Sequence, residues 1–218
     1  MNWQPRLVSF RLNWSGPHEA EEQEEVYLNP KGYQMQQKEK KYGILAGLSL
    51  IIMAIAAGFS YGYAHNALVD DAAQTTLENL TGNKPLFYAE LAGWVVIFVT
   101  DLIVAASLYL FFRRTSRPIA AITALIRLVY TIVLGVAVFY LIRIIPALSA
   151  NDHPSPSIDA SFIDQSLHMF DRTWSFGLIL FGLHLIGLGY LLIRSKMAHW
   201  ILGYLLFFAG ISYSFLHG

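Results

Sequence analysis

The sequence predicts an all-α protein: a polytopic membrane helix bundle of about five transmembrane helices, with its N-terminus in the cytoplasm. Three observations carry that prediction. Hydrophobic residues make up 55% of the 218-residue chain and charged residues only 14%, whereas about a quarter of the residues of a soluble domain are charged. The apolar residues are also collected into five runs. Each approaches or exceeds the roughly 20 residues that a helix rising ~1.5 Å per residue needs to cross a ~30 Å hydrocarbon core. No run alternates with period two over the length of a barrel strand.

Residues 1–43 form a polar arm ahead of the first run. It has no apolar h-region or small-residue cleavage site before Lys41, so the first span itself directs insertion. Within the arm Val8, Phe10, Leu12 and Trp14 alternate with polar residues, and an acidic run at 19–25 follows. That pattern fits an interfacial or disordered arm, or a short segment that docks on a partner. The bundle proper is residues 44–218, with spans at 44–64, 91–112, 119–145, 173–193 and 199–216. Between spans one and two, residues 71–80 read as a short amphipathic helix with Ala73, Leu77 and Leu80 on one side, opened by an Asp pair that can cap free amides and closed by Gly82-Asn83. Pro146 marks the end of span three. The following loop, 151–172, begins Asn-Asp-His-Pro-Ser-Pro and is expected to be extended at first and helical later.

Orientation follows from the short flanks, because cytoplasmic loops carry the excess of Lys and Arg. Lys38, Lys40 and Lys41, then Arg113, Arg114 and Arg117, then Arg194 and Lys196 all fall on one side. The other side sets Lys84, Arg143 and Arg172 among Asp70, Asp71, Glu78, Glu90, Asp152, Asp159, Asp164 and Asp171. The chain's balance of 15 Lys+Arg against 15 Asp+Glu is therefore a separation across a bilayer, basic inside and acidic outside. These cations read as topology determinants and lipid contacts, with no nucleic acid among the expected partners.

Ionisable residues in hydrocarbon are expensive, so they face the bundle interior and pair. Three lie within the runs: Asp101, Arg127 and His184. Counted from the cytoplasmic ends of their spans they sit at depths of ~16, ~12 and ~14 Å, which places them in one layer. Glu90 shares a helical stripe with Asp101, and Thr123, Tyr130 and Thr131 share a side with Arg127. Gly177, His184 and Gly187 share a face of span four, which allows a neighbour to approach closely. One reading of the cluster is a buried Asp–Arg pair with a hydrogen-bonded His that fixes helix register. The other is a proton relay or the polar floor of a ligand cavity. In span one Gly43, Gly47, Ala54, Gly58 and Gly62 form a small-residue seam for helix packing. Gly58-Phe-Ser-Tyr-Gly62 spells a nucleophile elbow, but that motif needs a strand-to-helix turn, which the middle of a membrane helix does not offer.

At the exterior mouth His65, His168 and Asp171 are a candidate metal set, His168 and Asp171 having the i, i+3 spacing that lets two ligands meet. No Cys is present, which removes thiolate ligands, disulfides and cysteine nucleophiles. The spans contain no Lys for a Schiff base, and the chain has no phosphate-loop or dinucleotide fingerprint, so the sequence requires no cofactor.

From about residue 40 to 213 the chain resembles a bacterial family of integral membrane proteins, DUF4386. The carrying stretches are Val69-Asp-Asp-Ala-Ala-Gln-Thr-Thr-Leu-Glu-Asn-Leu80, Asp101-Leu with Leu108-Tyr-Leu-Phe-Phe-Arg113, Ala124-Leu-Ile-Arg-Leu-Val129, and Phe181-Gly-Leu-His-Leu-Ile-Gly-Leu-Gly-Tyr-Leu-Leu-Ile-Arg-Ser195. The resemblance implies a multi-pass protein of the bacterial inner membrane and supplies no reaction. It also implies one more apolar segment after Tyr213 than this chain carries, which raises the question of whether the bundle closes on itself or with a partner. The expected role is a non-catalytic accessory or regulatory subunit whose partners are the lipid bilayer and other membrane subunits or further copies of itself. A small carrier, proton relay or ligand-binding protein built on Asp101, Arg127 and His184 is the alternative, and an intramembrane enzyme stands third.

Overall fold

The computed structural model describes residues 30–149, 160–197 and 199–216. The patterned segment at residues 8–14, the acidic run and His153 lie outside the described residues. The chain divides into two units, Met1–Lys40 and Lys41–Gly218. Among the described residues every regular element is a helix. They are α1 (Pro30–Ala57), a π-helical segment (Gly58–His65), α2 (Asn66–Leu68), α3 (Ala73–Gly82), α4 (Lys84–Phe112), α5 (Arg117–Ile142), α6 (Ile145–Ser149), α7 (Ala160–Ser195) and α8 (Trp200–Leu216).

Four helical stretches, Gln37–Leu68, Lys84–Phe112, Arg117–Leu148 and Ala160–Ser195, are long and apolar enough to cross a membrane. The fifth, α8, has 17 residues, or ~26 Å at ~1.5 Å per residue. This is the all-α polytopic bundle expected, with longer helices than the apolar runs suggest. α4 starts at Lys84 rather than 91, and α7 starts at Ala160 rather than 173. An apolar run measures the hydrocarbon crossing alone, and a helix continues into the polar zone wherever its backbone bonds stay satisfied.

Two local expectations are corrected. α5 stops at Ile142, and Pro146 lies in the first turn of α6 instead of ending the span, a position where its missing N–H removes no helical bond. The Lys84 ammonium at the start of α4 donates to the Leu148 carbonyl at 2.5 Å, which ties α6 to the bundle. The Asp pair before α3 does not cap its amides. Asp70 Oδ1 instead accepts from the Ala72 N–H at 3.1 Å, while Thr76 Oγ1 accepts from the Asp70 N–H and donates to its carbonyl. This closed Asx-type turn competes with capping. Within α3 Leu80 and Thr76 are buried, and Ala73 and Leu77 are half-buried.

Two apolar clusters make the core. The larger joins Leu68, Phe87, Trp94, Leu134, Leu141, Ile163 and Phe170, and the smaller joins Phe112, Ala120, Leu188 and Leu191. Between the two lies a buried polar layer that sets one ionisable residue on each of α4, α5 and α7, namely Asp101, Arg127 and His184, beside the buried hydroxyls of Thr100, Ser107 and Thr123.

Packing of α7 on α8 rests on glycine. A methyl built on Gly182 would lie 2.6 Å from the Gly210 carbonyl oxygen, and one on Gly189 would lie 2.7 Å from that of Gly203. The two backbones therefore touch at two points seven residues apart on each helix, a small-residue crossing of the kind that membrane helices use in place of a hydrophobic driving force. Among the described residues the expected seam on span one does not form. Only Gly43 meets a neighbour, the Phe111 ring, while Gly47, Gly58 and Gly62 have nothing within 4 Å and Ala54 is exposed. α1 instead turns Ala46, Ser49 and Met53 inward, followed by Ser60, Ala64 and His65 of the π segment. The packing face of span one is thus small and polar, and it falls between the glycines.

Candidate functional site

Arg127 is the centre of the polar layer. It projects from α5, and Nη2 donates to Asp101 Oδ1 of α4 at 2.5 Å, Nη1 donates to His184 Nε2 of α7 at 3.0 Å, and Nη2 also lies 3.6 Å from the Met53 sulfur of α1. One guanidinium thereby joins four helices. Its Cζ also stands 5.5 Å from the centre of the Phe181 ring, a cation–π distance. Asp101, Arg127 and His184 are 0, 1 and 0% exposed.

Donor and acceptor accounting fixes the form of His184. An arginine can only donate, so Nε2 facing Arg127 is the acceptor and carries no hydrogen. Nδ1 lies 2.9 Å from the Thr123 carbonyl oxygen, which can only accept, so Nδ1 carries the hydrogen and donates it. The imidazole is neutral and held at both nitrogens. Gly187 makes this possible, because a Cβ there would collide with the Thr123 side chain, and Gly177 lies against Tyr130 in the same way. The close approach expected for the Gly177, His184 and Gly187 face is therefore present. Two atoms of the cluster are buried without a hydrogen-bond partner, Asp101 Oδ2 and Arg127 Nε.

The residues expected to support the cluster divide. Thr123 contributes its carbonyl, and Tyr130 is buried beside Phe181 at a ring distance of 5.2 Å. Thr131 bonds back to the Arg127 carbonyl within its own helix at 2.9 Å. Glu90 belongs to a separate site nearer the α3 end of the bundle. There Glu90 Oε1 lies 2.8 Å from His65 Nδ1 and accepts from the Trp94 indole N–H at 3.3 Å. Tyr61, Phe170 and Trp174 pack around this pair, with Tyr61 5.2 Å and Phe170 5.4 Å from the His65 ring and Trp174 4.4 Å from Tyr61.

The π segment supplies His65. An ordinary α-helix was expected here, but Ser60 Oγ donates to the Glu90 carbonyl at 3.2 Å, and Gly93 opens the space in α4 that Ser60 fills. This anchor on α4 accompanies a widened turn flanked by Gly58 and Gly62, and π turns recur at functional sites.

The proposed metal trio is not assembled. His65 Nε2 reaches Asp171 Oδ1 at 3.9 Å, but the His168 side chain is 73% exposed and faces Asp164 at 3.6 Å. Among the described residues no group of three His, Cys, Asp or Glu side chains is placed to hold an ion. The i, i+3 spacing does not overcome this, because His168 is paired with Asp164 on its own helix while Asp171 is paired with His65 of the π segment. Residues missed in the sequence are Met53, Phe181 and the four glycines of the α7–α8 crossing. The seven-residue spacing of Gly182 with Gly189 and of Gly203 with Gly210 is the signal that finds the last group.

Comparison with known proteins agrees with this architecture. The family described as Domain of unknown function (DUF4386) matches residues 45–217, which takes in most of the first apolar stretch and all of the other four apolar helices. An uncharacterized protein of Archaeoglobus fulgidus is 29% identical over 131 residues, covering 60% of this chain and 65% of that protein. The chain thus spans about two thirds of the length of that relative. No solved structure matches. With a family match over most of its length and the helices that a membrane protein requires, the chain belongs to the DUF4386 family of membrane proteins.

Proposed function

We propose that this protein is a non-catalytic accessory or regulatory subunit of a membrane assembly, seated in a bacterial inner membrane with its N-terminus in the cytoplasm. The observation that carries this reading is enclosure. The charged and titratable groups of the mid-membrane layer are bound to one another and 0–1% exposed, so they offer no face to a substrate and instead hold four helices in register. α1 supports the reading. In the most apolar 18 residues of the stretch Gln37–Leu68 that it opens, 17% are buried, against 39% in each of the other three long helices, and Ala54 together with Gly58 and Gly62 of the π segment is uncovered. Lipid tails gain little from such a face, whereas a partner helix gains close approach.

The second reading, a small carrier, proton relay or ligand-binding protein, is favoured by the unpartnered Asp101 Oδ2 and Arg127 Nε, since a buried polar atom without a partner calls for a role. Substitution separates the two. Asp101→Asn, Arg127→Gln and His184→Gln are expected to reduce the yield of folded, partner-associated protein and to produce no pH-dependent flux phenotype in reconstituted vesicles. Loss of flux with folding and association intact overturns the proposal.

A further inference from the structure

At the end of the bundle opposite the His65–Glu90 site, α1, α4, α7 and α8 leave a cleft of about 230 Å³. Gly43, Gly47 and Leu50 form one wall, and Leu108, Phe111 and Leu192 stand opposite. Two glycines on α1 open it: a Cβ on Gly47 meets nothing within 4 Å, and Gly43 faces the Phe111 ring. A cleft of that volume with an apolar lining suits a length of hydrocarbon chain and not a polar ligand.

Charge just beyond the cleft is predominantly positive. Lys41 stands two residues before Gly43 on α1, Arg113 follows Phe112 at the end of α4, and Arg194 stands two residues beyond Leu192 on α7. Across residues 41–50, 108–119 and 188–206, which build this end, the cations are Lys41, Arg113, Arg114, Arg117, Arg194 and Lys196, and the nearest carboxylate in the sequence is Glu39, two residues before Lys41. Lys41, Arg113 and Arg194 are exposed. Charge placement for topology accounts for the sign but not for a cleft opened by glycine directly inside three of these cations. An apolar slot that ends at a basic rim matches a ligand with a hydrocarbon tail and an anionic head.

We propose that this cleft holds an acyl chain of an anionic phospholipid whose phosphate is bound by Lys41, Arg113 and Arg194. The site is independent of the Asp101–Arg127–His184 layer and of the subunit role proposed above. Basic pockets between membrane helices take anionic head groups through such clusters. The tail in the cleft distinguishes this site from simple attraction of charged lipid to a basic rim.

Native mass spectrometry tests it, with the full chain in mild detergent offered equal amounts of phosphatidylglycerol and phosphatidylcholine bearing the same acyl chains. The expected result is retention of one phosphatidylglycerol at least about tenfold over phosphatidylcholine, given roughly fivefold per nearby cation. The triple variant Lys41→Gln, Arg113→Gln, Arg194→Gln should lose that preference, and Gly47→Phe should lose retention of both lipids. Gly82→Phe, at a glycine equally open but at the other end of the bundle, should behave as wild type. The cationic triple leaves the helix interiors unchanged, so it keeps the test decisive if Gly47→Phe folds poorly. Equal retention of the two lipids by the wild type overturns the proposal. So does undiminished phosphatidylglycerol binding by folded Gly47→Phe, which would mean that the head group is held without the cleft.

Discussion

Replacing Arg127 with Met is expected to destabilise the bundle by ~3–5 kcal/mol, the largest effect of any single substitution in the polar layer. The loss does not measure the strength of the ion pair. It arises because Asp101, 0% exposed, is left as an uncompensated carboxylate and because His184 Nε2 loses its donor. The same reasoning predicts recovery in the double variant Asp101→Leu with Arg127→Met. Once both charges are gone the desolvation cost is removed from both sides, and replacing a buried pair with apolar residues of similar volume is often neutral or stabilising. What remains is the unpaired His184 nitrogen, ~1–3 kcal/mol. Unfolding titrations in mixed detergent check the series, and the expected order is wild type, then the double variant, then Arg127→Met. A double variant less stable than Arg127→Met would show that the layer holds the helices by charge itself.

The second large effect is expected at the α7–α8 crossing. Gly182→Leu places a Cβ where the Gly210 carbonyl oxygen stands 2.6 Å away and the Ser214 nitrogen 3.0 Å away. These are backbone atoms, so rotamer changes cannot relieve the clash and the helices must part. Overpacking of an ordinary core costs ~1–3 kcal/mol. The expected loss here is at the top of that range, with α8 released from α7 along its length because Gly189 and Gly203 share the same contact. Hydrogen exchange over 200–216 reads it directly: faster exchange confined to α8 is the expected result. Gly58→Leu, at a position with nothing within 4 Å, should leave the exchange unchanged.

How far the site could be read in advance follows from which property each feature depends on. The spans and the common depth of Asp101, Arg127 and His184 depend on hydropathy and on a fixed rise per residue, both present in the sequence. Which faces meet depends on helix rotation and tilt. The glycines of span one are the clearest case: their periodicity is real, but the helix is turned so that Ala46, Ser49 and Met53 face inward, Gly43 and Gly47 border a cleft, and Gly58 and Gly62 face out. The metal trio failed for the same reason, since His168 and Asp171 lie on one helix but face different neighbours. The π turn at Gly58–His65 accompanies a hydrogen bond from Ser60 to the Glu90 carbonyl, whose partner is 30 residues away. Chemistry at a long sequence separation of this kind leaves no local pattern. By contrast the neutral form of His184 follows once its two neighbours are known, because neither Arg127 nor the Thr123 carbonyl can exchange its donor or acceptor role.

The measurement that tests the account most directly is native mass spectrometry of the chain extracted gently from its own membrane, run beside the Asp101→Leu, Arg127→Met variant. If the polar layer holds the register of an accessory subunit, the wild type carries protein partners beyond its own 24.5 kDa and the variant carries the same partners. A chain found alone, with a bound small molecule other than lipid that the folded variant has lost, would contradict the account and make the layer a binding site.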